Sequence, residues 1–89
     1  MATFKHVNET DENGTSRSVR LEVTSASVVR TSKVLRWEAR LPLAKIEGMS
    51  NKKSLSGADT VTISAPDGDI IWKLRKGQPI LDAIDKARS

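Results

Sequence analysis

Apolar and polar residues alternate along most of this chain, and the alternation fails at places that read as turns. In residues 60–65, Val61, Ile63 and Ala65 interleave with Thr60, Thr62 and Ser64, a period of two that lays three apolar side chains on one strand face. Residues 69–74 repeat the pattern, with Ile70, Trp72 and Leu74 on one side and Ile71 and Lys73 on the other. Pro66-Asp67-Gly68 separates the two runs. Proline pre-sets φ, aspartate bonds the local backbone and glycine accepts positive φ, so the stretch predicts a hairpin. After Arg75-Lys76-Gly77 the spacing becomes helical, with Ile80, Leu81, Ile84 and Ala87 on one stripe. Pro79 suits the first helical position, Lys86 and Arg88 the negative end of the helix dipole. Asp82 precedes Lys86 at the spacing of a favourable pair. A helix this short is marginal alone in water; its apolar stripe predicts docking onto a sheet.

Upstream, Val19, Leu21 and Val23 alternate with Arg20, Glu22 and Thr24, which predicts another strand. After Ser25-Ala26-Ser27-Val28-Val29, the polar run Arg30-Thr31-Ser32-Lys33 reads as a turn. The return strand is expected over Val34–Leu41, with Leu35, Trp37, Ala39 and Leu41 inward and Arg36, Glu38 and Arg40 outward. Pro42 marks a bend or an edge. Residues 49–58 read as a long polar loop anchored by Leu55. At the start, Thr3–Val7 is expected to be a weak edge strand, followed by a mobile polar loop through Ser18 around the turn dipeptide Asn13-Gly14. The sum is an α+β chain, mainly β, with room for about six strands and one C-terminal helix that closes it. Residues 1–18 form a polar N-terminal segment and 19–89 a single β domain.

Composition narrows this. With 3% aromatic residues the core must rest on Val, Ile, Leu and two tryptophans. The absence of cysteine removes disulfides, thiolate metal sites and cysteine nucleophiles, and no stretch resembles a secretion signal or a membrane span; the expected location is cytoplasmic. The net charge of +4 is unevenly placed. Residues 1–18 hold two bases against three acids, 19–58 eight against three, and 59–89 five against five. The excess sits in the middle of the chain, as a surface for an anionic partner would have it.

The alternating strand ending Val23-Thr24, the step Leu41-Pro42-Leu43-Ala44-Lys45-Ile46, the polar loop Gly48–Gly57, the strand Thr60–Ser64, the Asp67-Gly68 turn, the strand Ile70–Leu74 and the helix Ile80–Ala87 together resemble bacterial pleckstrin-homology-like domains. The resemblance covers roughly residues 19–88, one strand short of the family's usual complement. It implies a bent, nearly closed antiparallel sheet or partly open barrel of about six strands, capped at one open end by the C-terminal helix, and no catalytic residues. The wider superfamily binds lipid headgroups, peptides or proteins.

The residues themselves offer little for catalysis. His6 is the one histidine, no glycine-elbow serine accompanies it, and the carboxylates lack metal-ligand spacing; neither a cofactor nor a metal is expected. Two basic clusters stand out as candidates for an anion or partner: Arg30 and Lys33 with Arg36, interleaved with Thr31 and Ser32, and Lys52 with Lys53, followed by Ser54. Core packing is the expected role of Trp37 and Trp72, which leaves no aromatic for stacking bases. The expectation is a non-catalytic interaction module whose partner is a protein. Nucleic acid or an anionic membrane surface through the basic middle segment is the alternative, and a self-assembling subunit of viral or phage type, hence a homo-oligomer, a further one.

Overall fold

The structure is a computed structural model that describes residues 2–89; Met1 lies outside the described residues. Seven strands, β1 (Ala2–Thr10), β2 (Ser16–Val23), β3 (Ser27–Ser32), β4 (Trp37–Pro42), β5 (Gly48–Lys52), β6 (Asp59–Ala65) and β7 (Gly68–Leu74), precede one helix, α1 (Gln78–Arg88). They form one antiparallel sheet in the order β4-β3-β2-β1-β7-β6-β5. β4 and β5 are its unpaired edges. α1 touches both β2 and β5, which lie far apart in that order, so the sheet curls until its two halves share one helix.

Alternation places the core as expected. Val19, Leu21 and Val23 of β2, Val61 and Ile63 of β6, and Ile70 and Trp72 of β7 are all buried. Ile80 and Ile84 of α1 complete the cluster, with Leu81 and Ala87 packed against it. The β6–β7 hairpin turns through Pro66-Asp67, with Ala65 paired to Gly68. Gly68 has φ +129°, and a Cβ there would stand 3.0 Å from the Glu12 side chain; backbone freedom and space both require glycine.

Several expectations are corrected. The strand count is seven, because Gly48–Lys52, read as loop, pairs with β6 from Gly48↔Ser64 to Lys52↔Thr60. The loop that remains is 53–58, and Leu55 is fully exposed instead of anchoring it. β1 is no edge strand: it runs to Thr10 and lies between β2 and β7. Nor is the following loop long. It spans 11–15 and is tied by Asp11, whose Oδ1 accepts from the Asn13 and Thr15 N–H groups, both at 3.0 Å.

Arg30-Thr31-Ser32 is strand β3 rather than a turn; its period of two carries Val28, Arg30 and Ser32 to the buried face. The turn is Lys33–Arg36, closed by the Arg36 N–H donating to Lys33 O at 3.2 Å and by φ +50° at Arg36. Val34 and Leu35, assigned above to the return strand, are therefore exposed at its tip. Pro79 is the second helical residue, and Asp82 accepts from Gln78 Nε2 at 3.0 Å rather than meeting Lys86.

α1 starts under close constraint. The buried Asp59 accepts the Gly77 N–H at 2.9 Å, which fixes the chain where β7 gives way to the helix. A Cβ on Gly77 would lie 2.5 Å from Asn51 Oδ1 and 2.6 Å from Val61 Cγ2. The helix thus seats directly on β5 and β6.

Candidate anion-binding face

β1 carries a bulge. Phe4 pairs with Leu21 and Val7 with Val19, so Lys5 and His6 together oppose the single residue Arg20. His6 takes φ +58° to accommodate the extra residue, a conformation uncommon outside glycine, asparagine, aspartate and histidine. Bulges bend a strand and re-aim its side chains. Here Lys5 and His6 are both exposed while Val7 returns to the core.

On the next strands, Arg20 lies directly across from Thr31, and Lys33 follows at the start of the β3–β4 turn. Lys5, His6, Arg20 and Lys33 line one concavity of about 550 Å³ on the outer face of the sheet. The hydroxyl-bearing residues Ser18 and Thr31 contribute to its wall, and Val34 and Leu35 to its rim. No carboxylate lines it. Among the described residues, none of Lys5, Arg20 and Lys33 has a carboxylate within ion-pair distance. Cations placed together without counter-ions, beside hydroxyl donors, make a surface that favours an anion.

The five residues singled out from the sequence fare differently. Lys33 belongs to the concavity. Arg36 closes the same turn, exposed, but does not line it. Lys52 and Lys53 are exposed and remote: β3 and β6 run in the same direction, Lys33 follows the end of β3, and Lys52 pairs with Thr60 at the start of β6. The two clusters therefore lie at opposite ends of the sheet.

Arg30 is withdrawn from the surface altogether. It is 4% exposed and donates to the fully buried Glu9, Nε to Oε1 at 2.7 Å and Nη2 to Oε2 at 3.2 Å. Trp72 Nε1 donates to the same Oε1 at 2.9 Å, and Arg17 Nη1 stands 3.8 Å from Oε2. The Arg17 guanidinium lies 4.0 Å from the centroid of the half-buried Trp37 ring and donates to Asp11 at 2.9 Å. Burial pushes the Asp11 carboxyl up. The Thr15 N–H, the Arg17 side chain and the Asn13 N–H, with the Arg17 charge, outweigh that and hold it below its usual value. The two acids and two bases so arranged balance one another and are spent on holding the fold.

Arg20 and Lys5 were not singled out from the sequence, and His6 was weighed there only as a lone histidine. Arg20 was legible as an outward residue, but its partnership with Lys5 depends on the bulge, which no local signal announces. The chain matches no family model and no curated protein. No group of three or more His, Asp or Glu side chains among the described residues is placed to hold a metal ion, and no helix is long and apolar enough to cross a membrane.

Proposed function

We propose that this chain is a non-catalytic interaction module that captures an anionic group on the outer face of β1–β3. The observation that carries this reading is the convergence of the unpaired cations Lys5, Arg20 and Lys33 on a hydroxyl-lined concavity without a carboxylate. The bulge supports it, since a histidine held at positive φ is a local cost that functional sites tend to carry. Seven antiparallel strands followed by one helix support the pleckstrin-homology-like reading of the architecture, which by itself specifies no ligand.

Calorimetric titration with inorganic pyrophosphate at low ionic strength tests the proposal. Binding is expected to weaken as salt rises, because exposed charges are screened within about 10 Å at 0.1 M. Arg20→Glu with Lys33→Glu is expected to abolish it without shifting the thermal midpoint. An absence of binding, or binding indifferent to the double substitution, contradicts the proposal.

A further inference from the structure

We infer that the occupant of this face is an extended acidic segment of another protein, a reading that rests on the anion site proposed above. The site is longer than a single anion needs. Arg20 and Thr31 line both the basic concavity and a second depression of about 320 Å³ farther along β2–β4, which Glu22, Val29, Glu38 and Arg40 also line. Joined at those two residues, the depressions run from Val29 along β3 to Lys33 in its turn. At about 3.3 Å per residue that is roughly 15 Å, the span of about five extended residues.

Charge also changes along the groove. Its end beside the β3–β4 turn is purely cationic; farther along, Glu38 lies across Thr31 from Arg20 and Glu22 across Val29 from Arg40, so acids and bases balance, with Arg40 Nε 3.7 Å from Glu38 Oε2. A nucleic-acid strand carries a charge on every nucleotide, and so would lay phosphates along the whole of this length. Those beyond Arg20 would meet carboxylates as well as cations and gain little from the added length. A flat anionic bilayer meets the same obstacle. Stacking offers no compensation to a nucleic acid, since Trp72 is fully buried and Trp37 lies beneath the Arg17 guanidinium.

The cationic end has an apolar border. Val34 is 93% exposed and Leu35 61%, at its rim. Cations next to exposed aliphatic side chains fit a segment in which carboxylates and apolar residues are neighbours. Glu22, which has no ion-pair partner among the described residues, fits a lysine or arginine at that segment's other end. The charge complementarity is thus that of a short peptide with an acidic, apolar half and a basic end.

The test uses the full chain, labelled with ¹⁵N, and six probes. Two are capped peptides of alternating glutamate and leucine, one ending and one beginning with lysine; a third replaces glutamate by lysine. The others are a short oligothymidylate, vesicles of phosphatidylcholine and phosphatidylserine in equal parts, and inorganic pyrophosphate. At least one glutamate peptide is expected to bind about tenfold or more tightly than its lysine counterpart, to shift the amides of Arg20, Thr31 and Lys33, and to be released by Arg20→Glu. Glu22→Lys with Glu38→Lys is expected to weaken that peptide and strengthen oligothymidylate. Pyrophosphate binding sensitive to Arg20→Glu, with no preference for glutamate peptides, overturns the inference and leaves the anion site standing. Oligothymidylate or vesicles binding more tightly than both glutamate peptides also overturns it. Indifference of every probe to Arg20→Glu overturns the site and the inference together.

Discussion

Arg30 grips Glu9 with two nitrogens inside the sheet, 2.7 and 3.2 Å from the two carboxylate oxygens, across 21 residues of sequence. The pair joins β3 to β1 beneath the sheet surface, and Trp72 adds β7 through the same carboxylate. A fully buried carboxylate is tolerated only while its donors remain. Arg30→Ala is therefore expected to destabilise the fold by about 3–5 kcal/mol, because it strands the Glu9 charge. Glu9→Leu combined with Arg30→Met is expected to cost less than Arg30→Ala alone. Urea unfolding of the variants checks both, and a loss under about 1 kcal/mol for Arg30→Ala contradicts the network's role.

Gly77 marks the second tight point. A methyl group added there would stand 2.5 Å from Asn51 Oδ1 and 2.6 Å from Val61 Cγ2. Gly77→Ala is therefore expected to cost about 1–3 kcal/mol through overpacking at the helix start. Asp59→Ala removes the acceptor of the buried Gly77 N–H and is expected to cost a similar amount, about 1–3 kcal/mol. Hydrogen exchange in α1 should quicken in both variants before exchange in β2 does.

Acid should weaken the loop between β1 and β2. The Asp11 carboxyl titrates below its usual value of 3.8 in the folded chain. Its contribution to stability is therefore complete above that usual value and disappears as pH falls through the lowered one. The stability difference between the wild type and Asp11→Asn is expected to be large at neutral pH and to shrink as pH drops below about 4. Denaturation at a series of pH values measures it, and a difference that stays constant into strong acid contradicts the assignment.

Val34 and Leu35 carry no core. Val34→Ser with Leu35→Ser is expected to change stability by no more than about 0.5 kcal/mol per residue, as surface substitutions do. Thermal unfolding checks this; a loss of several kcal/mol would put these residues back in the strand that their hydrophobicity suggests.

Where aliphatic residues alternated undisturbed, the sequence was a sufficient guide: β2, β6 and β7 stand where Val19–Val23, Val61–Ala65 and Ile70–Leu74 put them. It misled where an inward position is charged. Glu9 and Arg30 each occupy a core-facing place in a strand, and a charge there looks like an end to alternation until its distant partner is known. The same ambiguity turned Arg30-Thr31-Ser32 into a turn and sent Val34 and Leu35 into a strand. β5 was hidden for another reason. Its residues Met49-Ser50-Asn51-Lys52 turn only the half-buried Met49 and Asn51 inward, one of them polar, so the strand leaves no apolar alternation and is marked by its backbone pairing to β6. The candidate site was half legible. Lys33 and the outward Arg20 follow from position alone, while Lys5 and His6 join them through a bulge fixed by the pairing of β1 with β2.

Those four residues must form one anion-binding surface if the proposed function is right. Amide chemical shifts of the ¹⁵N-labelled chain, followed as pyrophosphate is added at low salt, test this most directly. The predicted result is saturable movement of Lys5, His6, Arg20 and Lys33 with Lys52 and Lys53 unmoved; movement centred on Lys52 and Lys53, or none at all, contradicts it.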